Sequence, residues 1–114
     1  MAYDKGNIFA KILVGEIPSI KVYEDENCLA FMDIMPQAKG HTLVIPKTPA
    51  ENLFDLPPAM AGPLLLATQK VARAVKAALQ APGIMIAQLN GTAAGQSVFH
   101  MHFHIIPRTE GIDL

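Results

Sequence analysis

The sequence lacks the features that identify secreted, membrane-bound and disulfide-rich proteins. It has one cysteine, Cys28, in 114 residues, so it can form no intramolecular disulfide and suits a reducing compartment. No run of about 18 apolar residues could cross a membrane, and no apolar stretch behind the N-terminus indicates a signal peptide. We therefore expect a cytoplasmic protein with no membrane partner.

The chain also has almost no excess of charge of either sign. Nine Lys and Arg residues oppose ten Asp and Glu residues, the formal net charge is −1, and the basic residues are scattered along the chain. Proteins that bind nucleic acids usually carry a basic patch, so we expect no nucleic-acid partner. A single nucleotide is not excluded, because two or three well-placed hydrogen-bond donors suffice to bind one phosphate.

Apolar residues make up 51% of the chain, which indicates one folded domain over residues 1–114. Their spacing predicts a short helix over 7–13, N-capped by Asn7, and a long helix that begins between Pro58 and Met60 and ends near residue 80. Strands are predicted at 21–24, 28–32, 41–46, 84–89 and 98–107. This order indicates an α+β fold with a five-stranded antiparallel sheet. Cys28, inside the second strand, is expected to be a buried hydrophobe rather than a nucleophile.

The histidines are concentrated in one place. His41 stands alone, whereas His100, His102 and His104 alternate within five residues. Successive side chains of a strand point to opposite faces, so these three imidazoles are expected on one face and Met101, Phe103 and Ile105 on the other. Three imidazoles on one strand face indicate a functional site rather than a structural role.

Two chemical interpretations fit this strand. Two of its histidines could bind zinc, with His41 or another histidine as a third ligand. Alternatively, a neutral imidazole could attack phosphorus while its neighbours fix its tautomer and donate hydrogen bonds to phosphate oxygens.

The loop before the histidines favours phosphate chemistry. Gly95, Gln96 and Ser97 follow a run of small residues, and small residues let backbone N–H groups approach an anion closely. Gln96 and Ser97 add neutral donors for a phosphate or a leaving group. A metal site needs no such loop, and no carboxylate that could orient a ligand lies nearby in the sequence.

Four segments resemble the histidine triad (HIT) family. His-Met-His-Phe-His-Ile-Ile at 100–106 has the family's pattern His-φ-His-φ-His-φ-φ, where φ is apolar. Residues 7–19 resemble its opening helix and turn, 29–47 its central strands, and 89–100 the loop that leads into the triad. The resemblance covers almost the whole chain, and in particular points to the Hint-like bacterial branch. It implies the HIT-like fold.

The resemblance also implies an activity and its central residues. It predicts a hydrolase or transferase of the nucleoside phosphoramidase type that acts on AMP or GMP conjugates and needs no cofactor. His102 would attack the α-phosphate and form a nucleotidyl-histidine intermediate, which water then hydrolyses. His100 would orient His102.

Further binding residues follow from the same resemblance. Asp33 would hold the ribose hydroxyls, and His41 would lie beside the triad. Ser97 would lie near the leaving group. The residues expected at the phosphate are His104, Gln96, Gly95 and Asn90, and those expected to line the base pocket are Ile8, Phe9, Ile12, Phe31, Ile34 and Leu43.

The sequence departs from the family at two places. Many bacterial relatives bind a structural zinc through two cysteines, a histidine and the first triad histidine, but the corresponding positions here are Asn7, Ala10, Pro49 and His100. One ligand does not make a zinc site, so we expect no metal. The chain also ends soon after the triad, so that either it is naturally short or a C-terminal tail is missing. The resemblance finally implies a two-fold homodimer whose sheets join.

Other functions remain alternatives at this point. Within the same class, the protein could hydrolyse dinucleoside polyphosphates, although Ser97 after Gln96 favours the phosphoramidase. From other classes, it could be a nucleotide-binding module or scaffold with incidental turnover, or a metal-binding protein that uses the histidine strand.

Overall fold

A computed structural model describes residues 3–110 and confirms the α+β fold. Among these residues are two α-helices, α1 (Ile8–Leu13) and α2 (Ala61–Leu79). The strands are β1 (Lys21–Glu24), β2 (Cys28–Met32), β3 (Thr42–Pro46), β4 (Gly83–Ala87) and β5 (Phe103–Arg108). They form one antiparallel sheet in the order β1-β2-β3-β5-β4. Short 3₁₀ turns lie at Leu53–Asp55, Pro58–Met60 and Thr92–Ala94.

Both helices begin and end where local chemistry requires. The Asn7 side chain accepts a hydrogen bond from the Ala10 N–H and caps α1 as predicted. The turn at Pro58–Met60 leads directly into α2, in agreement with the predicted start. Gln80 has a left-handed conformation (φ +51°) and ends α2, as a C-terminal cap often does.

The sheet has a different covering on each face. On one face, α2 packs Leu64, Ala67 and Val71 against Cys28, Val44 and other strand residues. The Cys28 thiol is fully buried, and burial raises its pKa to about 11, so it behaves as a hydrophobe. On the other face, the short helix α1 covers only part of the sheet with Phe9 and Ile12. A cavity lies on the rest of that face.

The fifth strand is shorter than the sequence predicts. It begins at Phe103, which pairs with Val44 of β3, so His100 and His102 precede the strand instead of lying in it. The reason is that the Met101 N–H donates to the Ala50 carbonyl and not to the sheet. The predicted alternation nevertheless persists, because Met101, Phe103 and Ile105 all pack toward α2.

Within residues 3–110, no helix combines the length and hydrophobicity that crossing a bilayer demands. Residues 111–114, at the end of the given sequence, lie outside the described residues.

Candidate active site

A cavity of about 530 Å³ opens on the sheet face beside α1. Its walls come from α1, β2, β3, β4, β5 and the loop before His100. Most of the residues that the sequence predicts as site residues line it. These are Ile8, Phe9, Ile12, Phe31, Asp33, Ile34, His41, Leu43, Gly95, Ser97, His102 and His104.

His102 is held in one orientation and one tautomer. Its Nδ1 lies 2.7 Å from the His100 carbonyl oxygen. A carbonyl oxygen only accepts hydrogen bonds, so Nδ1 carries the proton and Nε2 of the neutral ring keeps a lone pair. The Phe9 and His104 rings contact the His102 ring edge to face, each with centroids 4.9 Å apart. Burial lowers the pKa of His102, which keeps the ring neutral at pH 7.

His100 lies behind His102 and does not line the cavity. Its side chain is fully buried, and its Nε2 lies 2.7 Å from the Pro46 carbonyl oxygen. Nε2 therefore carries the proton, and Nδ1 accepts a hydrogen bond from the Tyr3 hydroxyl. Burial lowers the pKa of His100 as well. His100 thus contacts His102 through its backbone carbonyl, in agreement with a role in orientation.

A second chain of hydrogen bonds fixes the tautomer of His104. The Gln37 backbone N–H donates to Nδ1 of His41, so the proton of the neutral His41 ring is on Nε2. This Nε2 lies 3.0 Å from Nδ1 of His104 and 3.4 Å from the Asp33 carboxylate. His104 Nδ1 is therefore the acceptor, and its Nε2 carries the proton. Burial, followed by the nearby His102 and His41, lowers the pKa of His104 to about 4.

The two cavity-facing rings consequently differ in the group that they present to a ligand. His102 offers a lone pair, and His104 offers an N–H. A nucleophile beside a hydrogen-bond donor is the arrangement that attack on a phosphate ester or amide requires.

The residues predicted at the phosphate divide into two groups. Gly95 (φ +98°) and the exposed Ser97 reach the cavity. Gln96 is buried and uses its side chain within the loop, where Nε2 donates to the carbonyls of Glu51 and Val98. Asn90 bonds to Gln88 and to the Leu53 N–H. Neither Gln96 nor Asn90 lines the cavity. Both instead form hydrogen bonds that hold the loop before His100.

Sequence reasoning missed some of the lining. Met85, Ala87 and Ile106 complete the floor, because Met85 pairs with Ile106 and Ala87 pairs with His104 across β4 and β5. The pairing of these two strands is the signal that could have identified them. Tyr3 was also missed, and no local motif distinguishes it.

Two sets of residues bear on metal binding. The positions that match the zinc ligands of relatives do not fit a metal, because Asn7 caps α1, Ala10 and Pro49 offer no ligand, and both His100 nitrogens are hydrogen-bonded. Among the described residues, Asp33, His41 and His104 place one ligand atom each within 4.8 Å of the others. A metal there would displace the proton that His41 shares with His104.

Comparison with known proteins places the chain among HIT proteins. A model of the HIT domain matches residues 14–111. The Bacillus subtilis protein called Protein hit is 52% identical over 101 residues, which cover 89% of this chain and 70% of that protein. The crystal structure of a HIT-like protein from Bartonella henselae has a TM-score of 0.96 at 58% identity, covering 97% of this chain and 86% of that one. An adenosine 5'-monophosphoramidase of Saccharomyces cerevisiae is 39% identical over 107 residues, covering 94% of this chain and 65% of that protein.

Proposed function

The chain belongs to the HIT family, and from that premise we propose that it is a nucleotidyl hydrolase or transferase acting on the α-phosphate of purine nucleotide conjugates. One observation carries the proposal. The His100 carbonyl fixes the proton of His102 on Nδ1, which leaves the Nε2 lone pair available for attack. The similarity to a yeast adenosine monophosphoramidase supports the phosphoramidase type.

The cavity has the chemistry to bind a nucleotide. Its apolar lining, which includes Phe9, Ile12 and Leu43, suits a purine base. Asp33 lies beside the histidines, with a carboxylate oxygen 3.4 Å from Nε2 of His41, and its two oxygens can accept from both ribose hydroxyls. The α-phosphate then lies at His102 and Ser97.

The chemistry follows from the two tautomers. His102 Nε2 attacks phosphorus, a P–N bond forms, and the bond to the leaving group breaks with its electron pair on the leaving group. His102 becomes positively charged, and its Nδ1–H donates to the His100 carbonyl, which stabilises that charge. The His104 Nε2–H donates to a phosphate oxygen. Water then attacks phosphorus, the P–Nε2 bond breaks with its electron pair on Nε2 so that the ring is neutral again, and the proton that the water loses replaces the one given to the leaving group.

Ser97 has the location expected of a residue beside the leaving group. It lies where the nucleotide cavity meets a second cavity of about 420 Å³, which Asp4, Asn7 and Glu51 also line. Its hydroxyl can donate a proton or a hydrogen bond to a departing amine. The second cavity gives the leaving group space to depart.

Steady-state kinetics test this function. The wild-type protein should hydrolyse adenosine 5'-phosphoramidate with a higher kcat/KM than diadenosine polyphosphates. His102→Ala should abolish turnover while AMP still binds, as measured by calorimetry. Unchanged turnover in His102→Ala would eliminate the nucleophile, and binding without turnover by the wild-type protein would favour the nucleotide-binding module instead.

The same family membership leads us to propose a two-fold homodimer. β4 is an edge strand of the sheet, and an apolar groove of about 840 Å³ runs between it and α2. Leu65, Leu66 and Ile86 in this groove are 61%, 52% and 44% exposed. A second copy would cover these side chains and extend the sheet. Light scattering should give twice the chain mass for the wild-type protein and for Ile20→Lys, and a lower mass for Leu66→Asp.

A further inference from the structure

We propose that Tyr3 is a positioning residue that holds the imidazole ring of His100 and, through it, the orientation of the nucleophile. The inference rests on the proposed function only for the role of His102. The Tyr3 hydroxyl hydrogen-bonds to Nδ1 of His100, and the Tyr3 ring packs edge to face on the His100 ring with centroids 5.6 Å apart. Tyr3 does not line the nucleotide cavity, so it acts through His100 and not on the substrate.

The direction of this hydrogen bond follows from the surrounding atoms. His100 Nε2 must donate, because its partner is the Pro46 carbonyl oxygen. The other tautomer would place a lone pair of Nε2 against that carbonyl oxygen at 2.7 Å, which is repulsive. Nδ1 is therefore an acceptor that needs a donor, and the Tyr3 hydroxyl is that donor.

Burial makes the donor necessary. His100 is fully buried, so bulk water does not reach Nδ1, and a buried acceptor without a partner is costly. Burial also raises the pKa of Tyr3, so its hydroxyl stays protonated over the working pH range. Without the hydroxyl, Nδ1 is a buried acceptor without a partner, and the His100 ring loses the contact that holds its position.

A change at His100 passes directly to His102. The His100 carbonyl accepts from Nδ1 of His102 at 2.7 Å, and this contact keeps the attacking Nε2 free of a proton. A shift of the His100 backbone weakens this contact and lets the His102 ring rotate or change tautomer. Tyr3, Pro46, His100 and His102 thus form one chain of hydrogen bonds that ends at the nucleophile.

The zinc positions explain why a hydroxyl is needed here. Asn7, Ala10 and Pro49, which stand where the resemblance to the family would place the other zinc ligands, offer His100 no metal partner. The Asn7 side chain already accepts from the Ala10 N–H. Tyr3 supplies the contact that holds the imidazole in place of a metal.

The test compares Tyr3→Phe with Tyr23→Phe. Both variants lose one hydroxyl, but that of Tyr23 bonds to Asp25, outside the cavity. Tyr3→Phe should lower kcat about 10-fold, equivalent to about 1.4 kcal/mol, while KM and AMP affinity change less than about 2-fold. Tyr23→Phe should keep the wild-type kcat.

Nitrogen-15 NMR of the imidazoles gives a readout independent of turnover. The wild-type spectrum should show a single Nε2–H tautomer for His100, and Tyr3→Phe should shift the Nδ1 resonance of His100, which loses its hydrogen-bond donor. Unchanged histidine resonances in a folded Tyr3→Phe protein would overturn the proposal, as would an unchanged kcat. If the wild-type protein proves inactive yet the resonances move, the assignment of Tyr3 stands and the proposed function fails.

Discussion

Nδ1 of His102 lies 2.7 Å from the carbonyl oxygen of His100, two residues earlier in the chain. The backbone itself thus determines which nitrogen of the nucleophile is free. Because the acceptor is a main-chain oxygen, substitution of the His100 side chain does not remove it and can change only its position. The fold therefore controls which nitrogen of His102 carries the proton, as well as where the ring lies.

The pH dependence of turnover should report the protonation of His102. Burial lowers its pKa from the usual 6.5, so the neutral, nucleophilic form persists below that pH. We predict that kcat/KM for a nucleoside phosphoramidate, corrected for uncatalysed acid hydrolysis, falls on the acid side with a midpoint below 6.5. A midpoint above 6.5 would show that the ring is not desolvated as described.

Asp33→Asn should weaken recognition of the ribose. A carboxylate accepts from both hydroxyls of the diol, and hydrogen bonds to a charged group contribute roughly 1.5–3 kcal/mol, so kcat/KM should fall at least about 10-fold. The matched control is a 2',3'-dideoxy substrate, for which wild-type and variant kinetics should agree within about 3-fold. An equal loss for both substrates would place Asp33 elsewhere in the reaction.

Stability should decrease in mild acid because of the buried histidines. The pKa of His104 is lowered to about 4, so the unfolded chain, with a pKa near 6.5, binds its proton first. This contribution is complete above pH 6.5 and is lost as the pH falls toward 4. Allowing for partial exposure, the free energy of unfolding in urea should drop by about 1 to 2 kcal/mol between pH 7 and pH 5. His104→Gln should reduce this slope, and an unchanged slope would contradict the account.

Metal analysis separates catalysis by histidine from metal binding. Asp33, His41 and His104 bring ligand atoms together, but His41 and His104 already share a proton. We predict that protein purified from zinc-supplemented medium contains well below one equivalent of zinc, and that a chelator leaves kcat unchanged. Stoichiometric zinc that is lost in His41→Gln would favour the metal-binding alternative.

Much of this fold could be predicted because its signals are local. The Asn7 cap, the stripe of α2 and the alternation around the histidines each depend on neighbouring residues. The start of β5 could not be predicted, because a distant carbonyl, that of Ala50, takes the Met101 N–H out of the sheet. Val98 to Met101 have the composition of a strand, and only this tertiary contact prevents one.

The site was predictable to a similar degree. The triad follows from the residue pattern, whereas Asp33 and the apolar pocket follow from the resemblance to the HIT family. The tautomers of His100 and His104 do not, since they depend on the Pro46 carbonyl and the Gln37 N–H, which are distant from the triad in sequence. The inward bonding of Gln96 to the Glu51 carbonyl is likewise a tertiary feature.

Covalent catalysis by His102 is tested most directly by mass spectrometry of a quenched reaction. Wild-type protein mixed with adenosine 5'-phosphoramidate and quenched within one turnover should gain the mass of one adenylyl group. Peptide mapping should place that group on His102, and His102→Ala should gain none. Turnover at the wild-type rate with no adduct at any quench time, or an adduct on another residue, would contradict the account.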